Sequence, residues 1–104
     1  MKQKKPPEPI FVVVLFPFDR NYHVSDDFAI RTAEIFSGVS GTHGTDGQSR
    51  NLQFKFIDGL KAKAFVRAIW RQKRFEGWKT EGPFTLQLDK EGRYGRVMLE
   101  KTNA

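Results

Sequence analysis

A chain of 104 residues, 38% apolar and 29% charged, has single-domain length and enough apolar material for one core, which excludes wholesale disorder. It has no cysteine. That excludes a disulfide framework, a thiol nucleophile and a cysteine-based zinc site. Small secreted domains commonly rely on disulfides, so this composition points to a cytoplasmic protein.

The net charge is +6, and its location says more than its size. Residues 1–9 hold three Lys and one Glu (+2), and residues 10–57 hold four basic and five acidic groups (−1). Residues 58–74 hold six basic groups and one Asp (+5), and residues 75–104 hold five of each (0). One segment carries nearly all the excess.

Residues 1–9 read as a solvated, basic and Pro-rich tail. Lys2, Lys4 and Lys5 precede an apolar run, as in a secretory signal. Pro6, Pro7 and Pro9 interrupt the approach, and no small-residue cleavage site follows Phe18, so the expectation is no signal peptide. The apolar run at 10–18 is far shorter than the roughly 20 residues that span a bilayer, so no membrane association is expected.

The domain is expected over 10–101. Residues 10–16, rich in β-branched side chains and bounded by prolines, predict a strand apolar on both faces and therefore central. Pro17 should end it. Asp19, Arg20 and Asn21 form a turn. Residues 26–37 predict a helix with Ser25 as N-cap and Asp26 and Asp27 at the positive end of its dipole. Its buried arc holds Phe28, Ala29, Thr32, Ala33, Ile35 and Phe36. Gly38 is placed to close it in the left-handed conformation.

Glycine then recurs at 38, 41, 44 and 47, which excludes helix and allows a short strand near 39–43. Residues 50–57 alternate, with Leu52, Phe54 and Phe56 opposed to Gln53 and Lys55, and predict a half-buried strand. Residues 59–74 predict a second helix, with Ala62, Phe65, Val66, Ile69 and Trp70 as its buried stripe. Residues 75–83 read as a connection. Residues 84–88 alternate again, Asp89 to Gly92 make a turn, and residues 93–101 return as a strand. The last three residues should fray.

The order β-α-β-β-α-β-β defines an α+β chain. Its first six elements match the split βαβ, or ferredoxin-like, arrangement: one antiparallel sheet with two helices on one face, and here an extra C-terminal hairpin strand.

Lys63, Arg67, Arg71 and Arg74 fall within about 80° on the second helix's wheel, with Trp70 at their edge. No acid interrupts them. Solvated helix faces usually mix signs, because Glu–Lys pairs stabilise them. The row therefore predicts a site for an acidic protein surface or for phosphates. The alternative is a face kept basic for solubility.

The first strand, Ile10-Phe11-Val12-Val13-Val14-Leu15, is similar to the first-strand motif of the RNA recognition motif family, with Val14 where the family often has Asn. Residues 50–57 resemble its third-strand motif more distantly, without both glycines and the first aromatic. The resemblance implies an open sheet face on which aromatics stack bases. By position the matching residues are Leu52 and Phe54. Alternation places them with Phe56, and burying all three under the helices would leave only Gln53 and Lys55 outside.

The glycine-rich segment follows a helix and precedes a strand, the wrong context for a phosphate cradle. It reads as a hairpin loop, with His43, Thr45 and Asp46 as candidate contact residues. His43 and Asp46 also have the spacing of a base with an orienting carboxylate, which raises a small enzyme as a third reading. A glycine-rich loop offers such a site little rigid support. No catalytic residue, cofactor or metal is therefore expected.

The first strand also marks an interface. Because it is apolar on both faces, one of its rows must lie on the open side. Whether that row is Phe11, Val13 and Leu15 or Val12, Val14 and Phe16, a second copy, the C-terminal hairpin or a partner should cover it. Gln53, Lys55, Thr85 and Gln87 are expected beside it on the open face. The expectation is thus a non-catalytic binding module for an acidic protein surface. Nucleic acid is the alternative partner, and the open face allows a homodimer.

Overall fold

The computed structural model describes residues 8–99. Most of the expected tail (1–7), the end of the last expected strand (100–101) and the last three residues lie outside the described residues.

The elements are β1 (Ile10–Pro17), α1 (Tyr22–Ile35), β2 (Val39–Thr45), β3 (Ser49–Phe56), α2 (Gly59–Lys73), β4 (Lys79–Leu88) and β5 (Tyr94–Met98). The five strands form one sheet in the order β2-β3-β1-β4-β5, and every neighbouring pair is antiparallel. The fold is therefore α+β. The order differs from a plain split βαβ, with a fifth strand beyond β4.

β1 sits at the centre because it alone can be buried on both sides. Ile10, Val12 and Val14 pair with Phe56, Phe54 and Leu52 of β3. These residues, with Phe16, join Ala29 and Ala33 of α1 and Ala62, Phe65 and Ile69 of α2 in one core. Both helices therefore lie on the same face of the sheet. Phe65 is the hub, its ring 5.2 Å from both Phe54 and Phe56. Trp78, just before β4, stacks on Phe16 at 4.5 Å and seals one end. As the alternation of β3 predicts, Leu52, Phe54 and Phe56 are buried under the helices.

α1 departs from expectation at both ends. It begins at Tyr22 with Asn21 as N-cap, so Ser25 lies inside the helix and caps nothing. The local cause is the Asp19 turn: Asp19 Oδ1 accepts from Asn21 N at 2.8 Å, and Asp19 O accepts from Tyr22 N at 3.1 Å. Asp26 and Asp27 thus stand a turn deeper than the dipole argument placed them. At the other end Ser37, not Gly38, takes the left-handed conformation (φ 62°). Ser37 N donates to Glu34 O at 3.0 Å and Gly38 N to Ala33 O at 2.8 Å, the paired bonds of a Schellman close. Gly38 is required for another reason: a Cβ there would lie 2.5 Å from the Phe56 ring. Ile35, expected in the buried arc, is 75% exposed.

β4 starts five residues before the sequence suggests. Phe11 pairs with Phe84, but Val13 pairs with Glu81, so one extra residue of β4 is accommodated at Gly82 and Pro83. Gly82 makes this bulge feasible, with φ 105° and a position where a Cβ would lie 2.6 Å from Phe11 O. The bulge resets the phase of the strand. Phe84, Leu86 and Leu88 face away from the helices, and Thr85 and Gln87 face toward them. The expected placement of Thr85 and Gln87 on the open face is therefore wrong.

Candidate binding surfaces

α2 is built from the stripe that buries Ala62, Phe65 and Ile69. Asp58 caps it, with its carboxylate accepting from Leu60 N at 2.8 Å and Lys61 N at 3.4 Å. Burial of that stripe turns Arg67 and Arg71 outward on adjacent turns, both exposed. Neighbours at this spacing have Cβ atoms about 5–6 Å apart. Trp70, expected in the buried stripe, is 42% exposed. Its indole Nε1–H donates to Thr80 Oγ1 of β4 at 2.8 Å, which lays the ring along the β4 side of the helix. Arg74 ends the row beyond the helix, its guanidinium 4.4 Å from the Phe75 ring centroid. Lys63, one turn before Arg67, is half-buried.

The other cations around this helix are engaged. Lys73 pairs with Glu76 at 3.0 Å and lies over the Phe28 and Trp78 rings. Elsewhere Arg31 pairs with Asp27, Arg50 with Asp26, Arg93 with Asp89 and Glu91, and Arg96 with Glu81. Among the described residues, no carboxylate pairs with Arg67 or Arg71. The helix dipole favours Arg71 and Arg74 near the C-terminus, but it gives no reason for Arg67 two turns earlier.

His43, Thr45 and Asp46 are not brought to this row. β2 is the strand at the far edge, three strand spacings (roughly 14 Å) from β4, and α2 makes no contact with it. Thr45 ends β2 and pairs with Arg50. Asp46 serves the β2–β3 turn: its Oδ1 accepts from Ser49 N at 2.7 Å and Gln48 N at 3.2 Å. Those two bonds, Ser49's first, hold its carboxyl below the ordinary range. His43 makes no hydrogen bond to Asp46. The carboxylate that an imidazole base would need is committed to a turn.

The open sheet face is the second candidate. Phe11, Val13 and Leu15 do form its central row. It is not bare: Val13 is only 7% exposed, and Phe11 and Leu15 are half-buried. The cover comes largely from the flanking strands. Phe84 lies 5.9 Å from Phe11, Arg96 stands 4.4 Å above the Phe84 ring, and Arg96 pairs with Glu81 at 3.3 Å. Beyond this small second core, Leu86, Leu88, Tyr94 and Met98 remain exposed on the same face. The reading from sequence missed them because it assigned β4 the opposite phase. The signal was Gly82-Pro83, a bulge sequence within an extended segment.

On the β2 side, an open groove of about 360 Å³ is lined by Pro9 and Phe11, by residues 39–42 of β2, and by Gln53 and Lys55 of β3. Among the described residues, no three acidic or histidine side chains are grouped to hold a metal ion. Among the same residues, no buried side-chain nitrogen or oxygen lacks a partner. Among the described residues, no helix is long and apolar enough to cross a membrane.

Comparison with known proteins found no matching family model, no matching curated protein and no matching solved structure.

Proposed function

We propose that this chain is a non-catalytic binding module that docks an acidic protein surface on the exposed basic side of α2. The observation that carries the reading is the pair Arg67 and Arg71. They stand on adjacent turns, exposed and, among the described residues, without a carboxylate partner, in a molecule that pairs Arg31, Arg50, Arg93 and Arg96. Two guanidinium forks at that spacing suit carboxylates, which they can grip bidentately. Trp70, pinned by Thr80, adds a flat apolar flank of the kind that anchors interfaces. The strand order also supports a finer description, a split βαβ core of β1 to β4 with the two helices, extended at the β4 edge by β5.

Nucleic acid is the weaker reading. With Leu52 and Phe54 under the helices, the third strand offers no aromatics for stacking, and only the charge of the row remains.

The test is affinity capture with the full chain and with an Arg67→Glu/Arg71→Glu variant, with identification of both proteins and nucleic acids. The expected result is an acidic protein retained by the wild type and lost by the variant. Capture of the same proteins by both would sink the proposal. Mixed RNA and DNA oligomers bound with a steep linear fall in log affinity against log salt would replace it with the nucleic-acid reading.

A further inference from the structure

The hairpin β4–β5 is amphipathic in an unexpected sense. Phe84, Leu86 and Leu88 of β4 stand opposite Met98, Arg96 and Tyr94 of β5, all on the face away from the helices. Thr85 and Gln87, with Val97 and Gly95, form the other face. In β3 the arrangement is reversed, with apolar residues under the helices. The open face is therefore divided. Its β1–β4–β5 part is mainly apolar, with Lys79, Glu81 and Arg96 as its charges, and Gln53 and Lys55 make its β3 flank polar.

We infer that this open face is the interface of a twofold homodimer, two sheets stacked face to face with Leu86, Leu88, Tyr94 and Met98 of each copy at its centre. Charge favours a second copy over a charged partner. Arg96 and Glu81 already neutralise each other across the strip, and Arg93 is paired within the turn that ends it. Lys55 and Lys79, beside Phe11 and Leu15, are the other charges on this face; they lie outside the strip of Leu86, Leu88, Tyr94 and Met98, so the strip itself carries no net charge to repel an identical strip. The +5 segment belongs to α2, on the opposite side of the sheet. Stacking by the open faces keeps the basic rows of the two +6 chains apart and points both outward.

The area also fits. The apolar β1–β4–β5 part projects to roughly 350 Å² and the whole five-stranded face to roughly 600 Å², from strand spacings of about 4.8 Å and a rise of about 3.3 Å per residue. Side chains standing off the sheet raise these figures, and a contact centred on β4 and β5 stays below the ~800 Å² per partner of a standard interface, the size of a weak, concentration-dependent dimer. The division into an apolar centre and a polar flank is the usual anatomy of such a contact. The dimer is independent of what α2 binds, and it would give the particle two basic rows on opposite sides.

The experiment is sedimentation equilibrium of the full chain across micromolar to sub-millimolar concentrations. The expected result is a mass moving from 12.0 kDa toward twice that value. Leu88→Glu/Met98→Glu should raise the dissociation constant at least about tenfold. Both side chains are exposed in the single chain, so the variant should keep a cooperative melting transition at low concentration, which certifies the fold. Arg67→Glu/Arg71→Glu, on the other face, should leave the dimer intact, which separates this inference from the reading of α2. A 12.0 kDa species at every concentration overturns the inference, and so does a dimer unaffected by Leu88→Glu/Met98→Glu.

Discussion

Arg50, at the start of β3, grips both carboxylate oxygens of Asp26, 24 residues earlier in α1, with Nε at 2.8 and 3.1 Å and Nη2 at 2.6 Å. The same guanidinium lies 5.0 Å from the centroid of the Tyr22 ring, and the carboxylate holds it firmly protonated, above its ordinary range. Both side chains are largely shielded from solvent, so the pair is a latch between helix and sheet rather than a surface ion pair. Asp26→Asn should lower stability by about 1–3 kcal/mol, the range for hydrogen bonds to charged groups. Asp27→Asn, which removes an exposed pair with Arg31, should cost under about 0.5 kcal/mol. Urea denaturation of the two variants checks this, and equal effects would dissolve the distinction.

Gly38 and its neighbour Ser37 should respond with opposite signs. Gly38→Ala drives a methyl into the ring of buried Phe56, and overpacking of this kind costs about 1–3 kcal/mol. Ser37→Gly relieves a left-handed residue that carries a Cβ, worth about 1 kcal/mol in favour of the fold. Thermal or urea melts of both variants test the pair. Stabilisation by Gly38→Ala would mean that the Phe56 ring can move away.

The parts of the fold legible in the sequence are those where one side-chain period runs undisturbed. β1, β3 and α2 are such segments, and their core residues follow from alternation or from the helical stripe. The start of α1 was hidden because Asn21 makes no side-chain cap, while Ser25 and the two aspartates imitate one a turn later. β4 was hidden because Gly82 and Pro83 look like a break, although the strand passes through them as a bulge. That single extra residue inverted the reading of the hairpin and concealed Leu86, Leu88, Tyr94 and Met98. The basic row needed only the helical period. Trp70's contact with Thr80 needed the tertiary fold.

The two candidate N-caps should differ measurably. Asp58 accepts two backbone N–H bonds at the start of α2, so Asp58→Ala should cost about 1 kcal/mol. Ser25 stands inside α1, and Ser25→Ala should stay within about 0.5 kcal/mol of wild type, because alanine is the better helix former there. Guanidinium unfolding of both variants decides the matter. A loss at Ser25 as large as that at Asp58 would argue that α1 begins where the sequence alone places it.

Asp46 gives the β2–β3 turn a pH dependence of known sign. Backbone donors at Ser49 and Gln48 favour its charged form in the folded chain and are absent when it unfolds, so the folded pKa lies below the unfolded value of about 3.9. Between the two values the unfolded chain binds more protons, and stability rises with pH across that window. The turn's contribution is therefore complete above about pH 4 and is lost as pH falls through the folded value. An NMR titration of the Asp46 carboxyl should give a midpoint below that of an unfolded chain. Hydrogen exchange at the Ser49 and Gln48 amides should accelerate on acidification beyond the intrinsic trend, and Asp46→Ala should remove that excess. A midpoint at or above the ordinary carboxylate value would release Asp46 from the turn and restore it as a candidate partner for His43.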